Sequence, residues 1–264
     1  MNLTRIALGL SYDGSAFEGW QSQPSGRTVQ DALERALGAV ANEPIRVVAA
    51  GRTDTGVHAT GQVVHFDTTA LRRDYSWVRG VNSALPAAIA VQWATSVDAE
   101  FSARFSARGR TYRYALSNGP VRPALFARQL GWFHRPLDLI AMQAAAAALI
   151  GRHDFTSFRA AGCQAKTPLR NLRRLDISRA GSMIIFTVEA DAFLHHMVRN
   201  IVGALVYVGK GNHPAGWIAE LLAARDRRLA APTFGPEGLY LTAVEYDAKW
   251  RLPSFSASLP WLVG

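Results

Sequence analysis

The sequence predicts an α+β protein of two ferredoxin-like split βαβ halves, forming one extended antiparallel sheet with helices on one face. Two observations carry this. The first hundred residues read β-α-β-β-α-β, and the remaining stretch repeats that order roughly, without a residue-level repeat. A third makes it affordable: 264 residues at 49% hydrophobic content hold enough apolar material for one large core or two ordinary ones. The boundary is placed at an arginine-rich stretch, giving an N-terminal half of 1–103 and a C-terminal half of 104–264.

Arg5 to Tyr12 alternates as a strand and ends at the turn signal Asp13-Gly14-Ser15. Thr28 is placed to cap a helix, with Asp31 at the capping-box distance and Val29, Leu33, Leu37 and Val40 at helical spacing. Ile45 to Ala50 is a short apolar strand that stops at Gly51. Val63 to Phe66 is the next strand, Asp74 to Asn82 a helix, and Ile89 to Val97 a strand. After the junction carrying Arg104, Arg108, Arg110 and Arg113 comes a strand over Tyr112 to Leu116. Asp138 caps a helix through Ala144 to Ala148, and Leu172–Ser178 and Met183–Ala190 form a hairpin across Ala180-Gly181. Helices follow over Phe193–Val208 and Trp217–Ala224, and Leu239–Tyr246 is a closing strand. Trp261 and Leu262 hint that the C-terminal segment packs as well.

The charge narrows the partners. A formal net charge of +9 and a pI near 10.3 favour polyanions, whose counterions are released on binding Lys and Arg. Of the 29 basic residues only Lys166, Lys210 and Lys249 are lysines. Arginine offers a planar fork for phosphate and stacks on exposed bases, although a genome biased toward Arg codons explains the same choice. Cys163 is the single cysteine, so no internal disulfide forms and a reducing cytoplasm fits best. The apolar tract from Leu137 to Ile150 is too short to span a bilayer, and the N-terminus lacks a signal-peptide core, so no membrane partner is expected.

The strongest local feature follows the Ile45–Ala50 strand. Gly51 and Gly56 bracket Arg52, Thr53, Asp54 and Thr55, and glycines at both ends let the backbone turn sharply and approach a ligand. In an extended loop Arg52 and Asp54 point to the same side, and a nearby guanidinium favours the ionised carboxylate. From spacing alone, such a pair in a loop is more often a surface salt bridge or a turn element. The longer string changes that. Gly51-Arg52-Thr53-Asp54-Thr55-Gly56-Val57-His58-Ala59-Thr60-Gly61-Gln62 resembles the signature of the tRNA pseudouridine synthase A family. So do Ser11-Tyr12-Asp13-Gly14 with Phe17-Glu18-Gly19-Trp20-Gln21, Phe105-Ser106-Ala107-Arg108 with Tyr112-Arg113-Tyr114, and Asp154-Phe155-Thr156-Ser157-Phe158-Arg159. Phe193-Leu194-His195-His196-Met197-Val198-Arg199-Asn200 and Glu237-Gly238-Leu239-Tyr240-Leu241 complete the series in family order.

The resemblance implies conversion of uridine to pseudouridine at positions 38, 39 and 40 of the tRNA anticodon arm, in a basic active-site cleft between the two halves. The reaction breaks the N1–C1′ bond, turns the uracil and rebonds it through C5, so neither cofactor nor metal is implied. Asp54 matches the family's catalytic aspartate, which either attacks ribose C1′ or deprotonates the sugar. Arg52 matches the arginine that helps expel the base from the stack, which costs a few kcal/mol. Tyr112 matches the active-site tyrosine that stacks on the uracil, and Arg199 the arginine that pairs with the aspartate. Leu239 or Leu241 would supply apolar contact beside the base, and His58, Arg108 and Arg110 further substrate contacts. Thr55 departs from the family, where alanine is more usual. The resemblance also implies a homodimer in which one tRNA contacts both subunits.

From the residues themselves, the helix read from Phe193 carries an apolar face of Phe193, Met197, Ile201 and Leu205 and a polar stripe of His196, Arg199, Asn200 and Gly203. Competing readings are weaker. His58, His65, His195 and His196 with Asp54 could be drawn as metal ligands, but no His-Glu-x-x-His or Cys-x-x-Cys spacing occurs. No P-loop is present. An RNA-binding module without catalysis fits the charge and the RRM-like layout, yet gives no reason for a carboxylate in a basic loop.

Overall fold

The computed structural model describes residues 3–253; residues 1–2 and 254–264, with Trp261 and Leu262, lie outside them. The described chain forms two compact units, residues 3–108 with 240–253 and residues 109–239. The division thus falls after Arg108, and the closing strand rejoins the first unit.

The first unit holds β1 (Thr4–Tyr12), α1 (Val29–Ala41), β2 (Val48–Ala49), β3 (His58–Thr68), α2 (Asp74–Ala84) and β4 (Ile89–Val97). β1 pairs antiparallel with both β4 and β3, and β2 lies antiparallel on β3, so β3 is inserted between the ends of the β1-α1-β2 unit. Thr28 caps α1 as its sequence position predicts: its hydroxyl oxygen accepts the Asp31 N–H and donates to the Asp31 carboxylate. Ile6, Leu8 and Leu10 of β1 face the helices, with Ile6 opposite Phe66 and Leu8 opposite Val64. Phe66 meets Trp77 of α2 edge-on at 5.2 Å.

The other face of this sheet is covered in part by aromatic residues. Trp93 lies across Gly9, where a Cβ would come within 2.1 Å of its indole nitrogen. Ala7, Ala50, Val63, Phe101 and Ala103 form a cluster there with Tyr246 and Trp250. The strand expected over Ile45–Ala50 shrinks to β2, because Glu34 of α1 takes the Val47 N–H at 3.0 Å and the Arg46 guanidinium at 2.7 Å. Those groups are satisfied by a side chain, so no ladder is needed to satisfy them.

The second unit runs β5 (Ala107–Asn118), β6 (Gly131–Phe133), α3 (Leu139–Ala146), β7 (Gly151–Asp154), β8 (Leu169–Ala180), β9 (Met183–Ala190), α4 (Met197–Gly209) and α5 (Trp217–Ala224). β9 lies antiparallel between β5 and β8, so the first unit's split βαβ layout recurs with α3 as its crossover helix. The α+β class read from the sequence is the class found. β6 and β7, three and four residues long, escape a reading based on alternation.

The helix expected from Phe193 begins only at Met197. The Ala160 N–H donates to His195 O at 3.0 Å and the His195 N–H to the Cys163 sulfur at 3.4 Å, and His196 turns left-handed at φ 61°. The loop over 160–163 thereby holds this stretch out of the helix. β10 (Leu239–Tyr246) then pairs parallel with β3, Tyr240 with His58 and Leu241 with Ala59. No helix among the described residues is long and apolar enough to cross a membrane.

Candidate active site

In the first unit the loop from Gly51 to Val57 joins β2 to β3, and its backbone is tied down along its length. Gly51 O accepts the Gln62 side-chain amide at 2.7 Å, and Thr53 O accepts the Trp20 N–H at 2.9 Å. The Thr53 hydroxyl meets the Tyr12 hydroxyl at 2.9 Å in a buried contact, and the Val57 N–H closes a turn on Asp54 O at 3.1 Å. Burial, only partly opposed by bonds to Thr53 and Gln62, pushes the Tyr12 hydroxyl up to about 12, so it stays protonated at any working pH.

The segment from Asp13 to Trp20 lies across this loop. Gly19, at φ 88°, sits so close that a Cβ would stand 2.9 Å from Thr53 O, and at Gly14 a Cβ would stand 2.0 Å from Val57 O. The outcome is a half-buried Asp54 flanked by exposed Arg52 and Thr55 on a rigid backbone. Arg52 forms no ion pair among the described residues.

His58 opens β3 with 1% exposure. Its Nδ1 takes the Gly14 N–H at 3.1 Å, with Asp13 Oδ1 also 3.1 Å away, and its ring stacks on Tyr240 at 4.7 Å. His65 is occupied similarly, its Nδ1 accepting the Ala103 N–H at 3.0 Å. Both histidines therefore hold the fold. Leu241 is fully buried on β10, and Arg108 lies exposed 3.6 Å from the Asp247 carboxylate.

In the second unit Tyr112 of β5 is 8% exposed and meets Phe193 edge-on at 5.0 Å. Its neighbour in the motif, Tyr114, is wholly buried and donates to Gly235 O at 3.0 Å. Arg199 stands half-buried in the first turn of α4, its Nε donating to Phe234 O at 2.8 Å. Arg110 donates to Asp191 O at 3.0 Å, and Leu239 is buried.

Two residues of the polar stripe, Asn200 and Gly203, are buried. Asn200 is fully buried: its amide donates to Phe158 O, and its carbonyl accepts from Thr233 at 2.7 Å and Arg227 at 3.1 Å. At Gly203 a Cβ would stand 2.5 Å from Pro232 O. This face packs on the 230s segment, and His196 precedes the helix. Tyr12, Gly19, Thr53, Gln62 and Asn200, which position the loop and helix, were assigned no role from the sequence. Only their membership of the quoted motifs signalled them.

A family model described as tRNA pseudouridine synthase matches residues 10–106 and 145–247. The tRNA pseudouridine synthase A of Aromatoleum aromaticum is 61% identical over 249 residues, 94% of each chain. That of Bordetella avium is 59% identical over 253 residues, 95% of each chain, and that of Methylobacillus flagellatus 58% over 255 residues, 97% of this chain and 98% of the relative.

Proposed function

The chain belongs to the tRNA pseudouridine synthase family, and we propose that it isomerises uridine to pseudouridine at positions 38, 39 and 40 of the tRNA anticodon arm, with Asp54 as the catalytic carboxylate. The observation that carries the residue assignment is the loop itself. A half-buried aspartate stands on a backbone fixed by Trp20, Tyr12 and Gln62, and such preorganisation lets a nucleophile act without reorganising.

In the proposed reaction the Asp54 carboxylate attacks ribose C1′ as the N1–C1′ bond breaks. The freed uracil turns, C5 bonds to C1′ with release of the carboxylate, and the C5 proton departs while N1 gains one. Atoms and electrons balance within substrate and solvent, so the chemistry calls for no redox partner or group donor. Arg52, exposed beside Asp54, is proposed to help expel the base, which costs a few kcal/mol. Tyr112 is proposed to stack on the uracil and assist removal of the C5 proton, and Arg199 to keep the carboxylate ionised. Leu239, Leu241, His58, Arg108 and Arg110 are proposed to contact the substrate. The net charge of +9 suits an RNA partner.

Incubating the protein with unmodified tRNA and mapping pseudouridine in the anticodon arm tests the reading. Asp54→Asn is expected to lower kcat by roughly 10^6-fold, the scale on which loss of a nucleophile acts, while tRNA binding persists. Unchanged turnover by Asp54→Asn would refute the assignment. We also propose a cytoplasmic homodimer in which one tRNA contacts both subunits. Sedimentation with and without tRNA tests it, and a monomer throughout would refute it.

A further inference from the structure

Away from the Asp54 loop, the second unit brings Arg110 and Arg159 close to Arg170, with Asp191 beside Arg170. Arg159 donates to the carbonyls of Cys163 and Ala165, at 2.5 and 3.0 Å. Arg170 donates to those of Thr167 and Leu169, so both guanidinia hold the same loop. Arg110 reaches Asp191 O, and the Asp191 carboxylate takes the N–H groups of Asn171 and Ala192 at 3.1 and 2.6 Å. The Asp191 carboxylate therefore accepts backbone N–H groups and attracts Arg170, which the Arg159 and Arg110 cations also face.

Arg170 is the telling member. Its Nε is buried with no hydrogen-bond partner. Burial first, and then the neighbouring Arg159 and Arg110 cations, hold its guanidinium below the usual arginine range, against the pull of Asp191 and Cys163. A desolvated guanidinium N–H crowded by like charges costs stability unless an anion completes the arrangement.

We propose that Arg110, Arg159 and Arg170 form a subsite for a phosphodiester group of the substrate RNA, in which the orphan Nε–H of Arg170 donates to a phosphate oxygen. The inference rests on the RNA-modifying function proposed above. Arg110 lies two residues before Tyr112 on β5, and Asp191 two before Phe193, so the subsite adjoins the Tyr112–Phe193 contact. A phosphate held there would fix the backbone beside the base that Tyr112 is proposed to stack on. Arginine suits the task, since its fork matches two phosphate oxygens.

Cys163, the only cysteine in the chain, is a built-in reporter. Burial pushes its thiol up, but the N–H groups of Ala165 and His195 and the Arg159 cation more than offset this and leave it below the usual thiol range. A phosphate on the cluster would cover the thiol and neutralise the cations beside it, and both effects slow alkylation.

The experiment measures iodoacetamide alkylation of Cys163 in the intact protein, alone, with unmodified tRNA and with millimolar inorganic phosphate. Kinetics on tRNA are measured in parallel for the wild type, Arg170→Gln and Arg170→Lys. Protection by tRNA of at least fivefold is expected. Arg170→Gln should raise KM several-fold at unchanged kcat and lower the slope of log affinity against log salt by about 1, with partial rescue by Lys.

Bound tRNA that leaves alkylation unchanged would overturn the proposal, and so would protection by inorganic phosphate alone, which marks a free-anion site. The wild-type result needs no variant and survives misfolding of Arg170→Gln. Absence of pseudouridine with the wild type would instead refute the function, while protection by tRNA would still report the subsite.

Discussion

Gln62 illustrates how much of the candidate site is settled by single side chains that never touch a substrate. Its amide donates to Gly51 O at 2.7 Å and approaches the Tyr12 hydroxyl at 3.4 Å, joining the start of the Asp54 loop to the buried Tyr12–Thr53 pair. Gln62→Leu leaves the Gly51 carbonyl and that pair short of a partner. It is expected to cost about 1–3 kcal/mol in denaturant unfolding and to lower kcat more than it raises KM. Gly19→Ala tests the same loop from the other side, since a Cβ at φ 88° would press on Thr53 O. A drop in kcat with near-normal tRNA affinity is the expected outcome, and an unchanged kcat would show that the loop tolerates displacement. Asp54 was legible as a candidate because a carboxylate in a basic chain stands out and its string is distinctive. Its supports were not, because Tyr12, Gly19 and Gln62 are distant in sequence from the loop and look like ordinary strand and turn residues.

Elements were legible where their signal is local. The caps at Thr28 and Asp138 and the strand over Ile89–Val97 depend on neighbouring residues, and the structure has them where the sequence puts them. Elements whose limits depend on distant partners were not. β2 is short because Glu34 satisfies its backbone, and α4 starts late because the loop over 160–163 holds His195. The polar stripe of α4 meets a related limit: periodicity distinguishes polar from apolar faces and cannot tell water from a buried network. Asn200→Leu is therefore expected to behave as a core lesion, costing about 2–3 kcal/mol in thermal or denaturant unfolding because Phe158 O, Thr233 and Arg227 lose their partner. A loss below about 0.5 kcal/mol, as for a solvated position, would contradict the buried network.

For the whole molecule, charge and burial set the response to solution conditions. With a net charge of +9, affinity for tRNA is expected to fall steeply between low and moderate salt, and a nearly flat dependence would contradict phosphate-led binding. Acid is the second variable. Burial, and then the Arg5 cation, push the His65 ring down to about 4, with Asp67 pulling the other way. An unfolded chain titrates this ring near 6.5 and so binds more protons between about pH 6.5 and 4. The stability tied to neutral His65 is full above that window and is lost as pH falls through it. The melting temperature should decline over that range, and His65→Asn should flatten that part of the curve.

β10 has a consequence for the order in which the chain comes off the ribosome. Tyr240, Leu241, Tyr246 and Trp250 belong to the unit that begins at the N-terminus. While residues 109–239 are being synthesised, β3 lacks its parallel neighbour at His58 and Ala59, and Phe101 lacks the cover of Tyr246 and Trp250. The unit that carries the Asp54 loop therefore stays incomplete until β10 has been made. A nascent chain halted before Leu239 would hold the Asp54 loop beside an unsupported His58, so the carboxylate gains its finished setting only once residues 240–250 have been made.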